Sequence, residues 1–272
     1  MIKSNFHTHS TYCDGADTIE EMVISAIEKG FTDLGFSGHG FTSDDSSYCM
    51  TEEGTIQYLR DIDAVKLKYA DKINIYRGIE KDYISVESND KYDFVIGSCH
   101  YILKDGIYYS VDMSPDGLKK VISAFDGDVL AAAKEFFRSE ADVVRKTDCD
   151  IIGHFDLISK YFTACGVEIT PEYLQLAEEA VDALVPYGKP FEINTGAIAR
   201  GIDHGIYPSV DILKMIYERG GKITLCSDCH NRNNLDCYYR ESLEIAKEIG
   251  FKSIVSRHGD TFEEFDINEF KY

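Results

Sequence analysis

The sequence predicts an α/β fold built as one closed barrel of strand-then-helix units, and three observations carry that reading. Short apolar runs alternate with helical periodicities seven or eight times along the chain. No Pro-, Gly- or Ser-rich linker, internal repeat or low-complexity segment interrupts them, so residues 1–272 read as a single domain. The polar residues best suited to chemistry fall just after the apolar runs, and in a β/α barrel the C-terminal strand ends share one face. Periodicity alone does not separate a barrel from a doubly wound sheet; the total length favours the barrel.

Taken in order, "IKSNF" (2–6) reads as a first strand. "DTIEEMVISAIEKG" (17–30) places Ile19, Met22, Val23, Ala26 and Ile27 on one helical face, with Asp17 or Thr18 as cap and Gly30 as stop. "DLGFSG" is a second strand, followed by a polar loop through 40–51 and a helix over about 53–70. "INIYRGI" (73–79) and "DFVIGSC" (93–99) are strands, and "DGIYYSV" suggests a hairpin. Two helical stretches cover 115–146, ahead of the strand "DIIG". "PEYLQLAEEAVDALVPYG" is a helix that Pro171 can open without losing a hydrogen bond. "PFEIN", a helix over 209–219, "KITLC", a helix over 234–249 and "SIVS" complete the pattern.

His7 and His9 follow the first strand, His39 the second, Glu80 the third and His100 the fourth. His154 follows "DIIG", and Asp228 and His230 follow "KITLC". One histidine after a strand is ordinarily a packing or loop residue. Six of the eight histidines at strand ends, joined by carboxylates, point instead to a shared site. Imidazole with carboxylate suits zinc, iron or manganese. Glu80, alone after its strand, could bridge two ions with its two oxygens.

Composition narrows the function classes. Hydrophobic content of 44% and charged content of 28% are ordinary for a globular chain. The net charge of -20 argues against nucleic acid as partner and requires local cations to hold any phosphate. The start "MIKSNFHTHS" has no apolar signal region, and no window suits a membrane span. Eight scattered cysteines are expected to be reduced, in the cytoplasm. "CSDCH" (226–230) allows three readings: covalent haem attachment, a C-x-x-C metal or redox pair, or a site made by Asp228 and His230 alone. The expected cytoplasmic setting weakens the haem reading.

The stretches "FHTHSTYCDG" (6–15), "SGHG" (37–40), "RGIE" (77–80), "GSCH" (97–100), "GHFD" (153–156) and "CSDCH" occur in one order. Together they resemble the PHP superfamily, named for polymerase and histidinol phosphatase, and "EINTG…AR" (192–200) is nearest its histidinol-phosphatase branch. The resemblance implies a distorted (β/α)7 barrel with two to three divalent transition-metal ions. His7, His9, Glu80 and Asp228 would hold the first ion, Glu80, His100 and His154 the second, and Asp14, His39 and His230 the third. Asp14 stands where some relatives carry histidine. Cys226 and Cys229 would then be packing neighbours.

The implied activity is hydrolysis of L-histidinol phosphate, in histidine biosynthesis, by a hydroxide held between two ions. Glu80, Asp228 and Arg200 are the expected catalytic groups. Arg200, whose guanidinium forks onto phosphate, is also an expected substrate contact, with Lys160 and His258, while Glu192 and Asn194 are expected to line the pocket or to stand just behind the ligands. Ser159 stands where relatives often carry arginine, and Lys160 is the neighbouring cation. Another small phosphate ester or nucleotide, or a non-catalytic metal-binding module, are the alternatives.

Overall fold

The computed structural model describes residues 2–42 and 47–272. Seven strands form one parallel sheet in the order β1 (Ser4–Asn5), β2 (Asp33–Phe36), β3 (Asn74–Asp82), β4 (Phe94–Ser98), β7 (Ile151–Ile152), β8 (Pro190–Asn194) and β9 (Lys222–Cys226). The first and last strands meet just beyond their ends. Thr8 bridges Cys229, the His9 amide donates to the Cys229 carbonyl at 3.0 Å, and the Cys229 amide donates to the His7 carbonyl at 3.3 Å. That bridge nearly closes the barrel at the end where the candidate site residues lie.

Between β4 and β7 the chain inserts a hairpin, β5 (Tyr101–Lys104) with β6 (Ile107–Ser110). The helices are α1 (Ile19–Glu28), α2 (Glu52–Lys68), α3 (Pro115–Ala124), α4 (Val129–Glu140), α5 (Val143–Thr147), α6 (Phe162–Cys165), α7 (Pro171–Leu184), α8 (Gly196–Ala199), α9 (Val210–Glu218) and α10 (Tyr239–Ile249). Thr18 caps α1 in a reciprocal box with Glu21, and Pro171 opens α7 with Thr170 as cap. The buried stripe of α1 is Ile19, Met22, Val23 and Ala26. The stretch 115–146 holds three helices where the periodicity suggested two, because Phe125–Asp128 and Ala141–Asp142 interrupt it.

The last expected strand behaves differently. β10 (Ser253–His258) pairs antiparallel with β11 (Thr261–Asp266) and lies outside the parallel sheet. This hairpin meets the barrel at its N-terminal end: Arg257 donates to the Asp93 carbonyl, and the Gly259 amide to the Tyr76 hydroxyl. Phe262 packs against Phe6 and Phe94 inside the barrel, with ring centroids 5.8 and 6.4 Å apart. The hairpin therefore plugs the floor under the inner cluster of Phe6, Tyr76, Phe94, Ile96, Ile151 and Cys226. No helix among the described residues is long and apolar enough to cross a membrane.

One buried carboxyl outside the cluster has a measurable consequence. Glu140, at the end of α4, is fully buried, and both its carboxyl oxygens lack a hydrogen-bond partner among the described residues. Burial holds its pKa well above the ordinary value, against the lowering effects of the Cys99 thiol and His100. The folded protein thus keeps a proton that the unfolded chain releases. Its contribution is fully present below the unfolded pKa and is lost as pH rises toward the folded one. Glu140→Gln has no such proton to lose. It is expected to gain stability relative to the wild type as the pH is raised from about 5 toward neutrality, by up to about 1.4 kcal/mol per pH unit. Urea unfolding at the two ends of that range measures this; a pH-independent difference would mean that the carboxyl is charged in the fold.

Candidate metal centre

The parallel strands deliver the polar residues at their C-terminal ends to the same end of the barrel. Asn5, at the end of β1, accepts the His7 amide, and its side-chain amide donates to Ser227 at 2.6 Å and to the Leu235 carbonyl at 3.0 Å. His7 and His9 are thereby set against the turn after β9. The His39 backbone bridges Glu80, continuing the pairing of β2 with β3 past the strand end. Glu80 and Asp82 close β3 two residues apart and so share a face. Asp228 adopts φ 47°, a left-handed conformation uncommon for a side chain other than Gly. Its carboxylate reaches inward from there.

Glu80 lies at the centre. Its Oε2 is 3.1 Å from His7 Nε2, 3.6 Å from His9 Nε2 and 2.9 Å from His39 Nδ1. Its Oε1 is 2.8 Å from His154 Nε2 and 3.2 Å from His100 Nε2. The two oxygens thus serve different sets of imidazoles. Asp228 Oδ1 faces His9 Nε2 at 3.2 Å and His7 Nε2 at 3.6 Å. On the outer side Asp14 reaches His230 Nε2 at 3.2 Å and His39 Nε2 at 3.7 Å. All nine expected ligands therefore converge. His39 faces both Glu80 and Asp14, so it stands between the third expected set and the two that share Glu80.

The electrostatics show what such a cluster lacks. Burial opposes charging the His7 ring, but Glu192, Glu80 and Asp228 overcome it and hold the ring well above its ordinary pKa. His9 moves the other way: burial, then the His230 and His39 rings, push it down to about 3. Burial would raise Glu80, yet His7, His39 and His100 hold it well below the carboxylate range. Asp228 is likewise held low, burial being outweighed by Arg200 and the neighbouring imidazoles.

Buried carboxylates need positive charge beside them. Protons on His7 and His100 are one source; divalent cations are the other. His7 Nε2, His9 Nε2 and Glu80 Oε2 are buried, adjacent, and without hydrogen-bond partners among the described residues. Ligand atoms of His7, His9 and Glu80 lie within 4.8 Å of one another, as do those of His9, Asp14, His39 and His230, and those of His39, Glu80 and His100. Unpartnered nitrogen and oxygen donors around common points fit divalent metal.

A second layer orients these donors. Glu192 Oε1 lies 2.6 Å from His7 Nδ1, and Asp82 Oδ2 lies 2.9 Å from His100 Nδ1. Each fixes the far nitrogen toward the cluster, as carboxylates behind metal-bound histidines do. The expected substrate contacts divide accordingly. Arg200 and Lys160 line a cavity of about 260 Å³ together with Glu80, His100 and Asp228. Arg200 holds the Asp228 carboxylate at 3.1 Å. Ser159 is turned away, 2.6 Å from His204.

Three residues considered for substrate contact lie away from the cavity wall. Glu192 and Asn194 are fully buried, and Glu192 spends its other oxygen on the His154 amide and the Asn194 side chain. Neither lines the cavity; they support ligands from behind. His258 sits 3.6 Å from Asp33, which begins β2. It is at the opposite end of the barrel because the β10–β11 hairpin lies outside the parallel sheet and packs under its floor, against Asp33, Tyr76 and Asp93.

Two residues had not been singled out from the sequence. Asp82 was legible, because a second carboxylate two positions after Glu80 on one strand shares its face. Asp112, beyond the inserted hairpin, offered no such signal. Cys226 and Cys229 are buried free thiols. Cys226 packs in the barrel interior, and Cys229 lies 3.9 Å from the Asn5 amide.

Residues 5–196 match the PHP domain family. A protein of Schizosaccharomyces pombe named probable histidinol-phosphatase is 27% identical over 93% of this chain and 88% of its own length. One of the same name from Deinococcus radiodurans is 24% identical over 93% of this chain and 95% of its own. The crystal structure of histidinol phosphate phosphatase from Lactococcus lactis, complexed with zinc, L-histidinol and phosphate, has a TM-score of 0.71 at 21% identity. The match covers 96% of this chain and 98% of that one.

Proposed function

The chain belongs to the PHP domain family, and from that premise we infer that it is a metal-dependent phosphatase hydrolysing L-histidinol phosphate to L-histidinol and phosphate. One observation carries the reading: the two oxygens of Glu80 are divided between two sets of imidazoles, at the wall of a cavity that also holds Arg200 and Lys160. Two histidinol-phosphatase relatives matched over most of the chain support the substrate.

His7, His9, Glu80 and Asp228 would hold one ion, Glu80, His100 and His154 a second, and Asp14, His39 and His230 a third. Zinc, manganese and iron all suit this nitrogen and oxygen set. Divalent ions in such a cluster acidify water and draw charge from phosphoryl oxygens. The chain's own residues do the rest. Glu80 and Asp228, held ionised, keep the donors facing one another. Arg200 can turn its fork from Asp228 onto phosphate oxygens, and Lys160 adds a point charge. Residues 1–272 would form one domain in the cytoplasm, where the eight cysteines, none of them in a disulfide, would stay reduced.

Steady-state kinetics of the zinc- or manganese-loaded protein test this. kcat/KM for L-histidinol phosphate is expected to exceed that for p-nitrophenyl phosphate by at least about 100-fold, roughly 2.7 kcal/mol. Arg200→Ala should lower kcat/KM for both esters by similar factors, on the order of 100-fold, because both carry the phosphate it grips. Comparable rates on the two esters with the wild type would remove histidinol phosphate as the substrate and leave the metal chemistry standing.

A further inference from the structure

Four carboxylates among the described residues line the cavity: Asp14, Glu80, Asp112 and Asp228. Three of them face imidazoles within 3.6 Å. Asp112 is the exception. It follows the inserted hairpin, with its side chain 24% exposed, and belongs to none of the metal-competent groups. Its Oδ2 accepts from Lys160 Nζ at 3.1 Å, and its Oδ1 from the Ser110 hydroxyl at 3.1 Å. A carboxylate has about four acceptor positions, so each oxygen retains room for another donor. Met113, Leu157, Tyr48 and Tyr101 supply the apolar and aromatic lining nearby.

For a site that only bound phosphate, this residue would be a handicap. It repels a dianion and neutralises Lys160, which with Arg200 makes up the lysine and arginine lining of the cavity among the described residues. Its placement becomes favourable if the ester brings its own positive charge. The leaving alcohol of an amino-alcohol phosphate does so, through an ammonium group or an imidazolium.

We propose that Asp112 reads the cationic half of the substrate: its carboxylate accepts a charge-assisted hydrogen bond from the alcohol's N–H group and selects amino-alcohol phosphates over neutral ones. A neutral ester leaves the carboxylate facing phosphate without compensation, so the residue both attracts one class and disfavours the other. The inference deepens the phosphatase reading and rests on it. Asp112 could otherwise serve only to position Lys160, in which case its removal would affect every phosphate ester alike.

The experiment compares wild type with Asp112→Asn, both zinc-loaded, on L-histidinol phosphate, its analogue lacking the amine, phosphoethanolamine and p-nitrophenyl phosphate. The ratio of kcat/KM for cationic over neutral esters is expected to fall by at least about 30-fold, with most of the change in KM. Calorimetry with L-histidinol in the presence of inorganic phosphate should show a weakening of Kd of similar size. Equal losses on cationic and neutral esters, with an unchanged Kd for L-histidinol, would overturn the proposal and leave Asp112 as the anchor of Lys160. A wild type that ignores L-histidinol phosphate but prefers phosphoethanolamine would sink the histidinol reading alone. The role of Asp112 would then still be decided by the same ratio.

Discussion

Glu80→Gln is expected to empty two metal positions at once and to lower kcat/KM by at least about 1000-fold, roughly 4 kcal/mol. The reason lies in how one carboxylate is shared. Oε2 faces His7, His9 and His39, while Oε1 faces His100 and His154. An amide has one good ligand oxygen and no charge, so it cannot serve both sets. His39→Ala removes one imidazole from the outer side, where Asp14 and His230 lie, and leaves Glu80 intact. It is expected to cost one ion. Elemental analysis of both variants, purified alongside the wild type, reads the difference without any assay of activity. Equal losses of a single ion would show that Glu80 does not join the two sets.

Gly78→Ala should be the most destabilising of the small substitutions in the barrel wall. Gly78 lies in β3, and a Cβ there would come within 2.1 Å of the Phe94 ring. Gly35, in the adjacent strand β2, leaves space for the same ring, where a Cβ would approach to 2.6 Å. Phe94 cannot retreat easily, since Phe6 meets it edge-on at 5.5 Å and Phe262 of the floor hairpin lies beyond. Overpacking of this kind usually costs about 1–3 kcal/mol, and with backbone on one side and the plugged floor on the other the upper end is expected. Thermal unfolding should fall by roughly 6–12 °C. Adding Phe94→Leu should recover part of the loss, because the two sites share one volume. A single variant that melts within a degree or two of the wild type would mean that the ring has somewhere else to go.

The candidate metal ligands were legible in the sequence because strand ends are marked locally. An apolar run followed at once by His or by a carboxylate places that side chain at a barrel rim. Six such runs in one chain place His7, His9, His39, Glu80, His100, His154, Asp228 and His230 together without any knowledge of distances. Asp14 needed the family resemblance, since an Asp before Gly reads first as a turn residue. The capping of α1 by Thr18 and the opening of α7 by Pro171 were legible for the same local reason.

The sequence by itself determined the alternation of strands and helices, the ligand types and the end of the barrel that carries them, because these depend on periodicity within a few residues. Only the tertiary structure decided which residues stand behind the ligands and which reach the cavity. Glu192 and Asn194 follow the same strand-end rule as Glu80, yet Glu192 is engaged by His7 and the His154 amide, and Asn194 by Glu192 and the Gly196 amide, so they support rather than contact. His258 ends a strand as His100 nearly does, but β10 belongs to a separate hairpin outside the parallel sheet, docked at the floor. Asp112 reaches the cavity through an inserted hairpin that has no counterpart in the repeating pattern. Strand direction and side-chain packing are set by contacts between residues distant in the chain, and local periodicity carries no record of them.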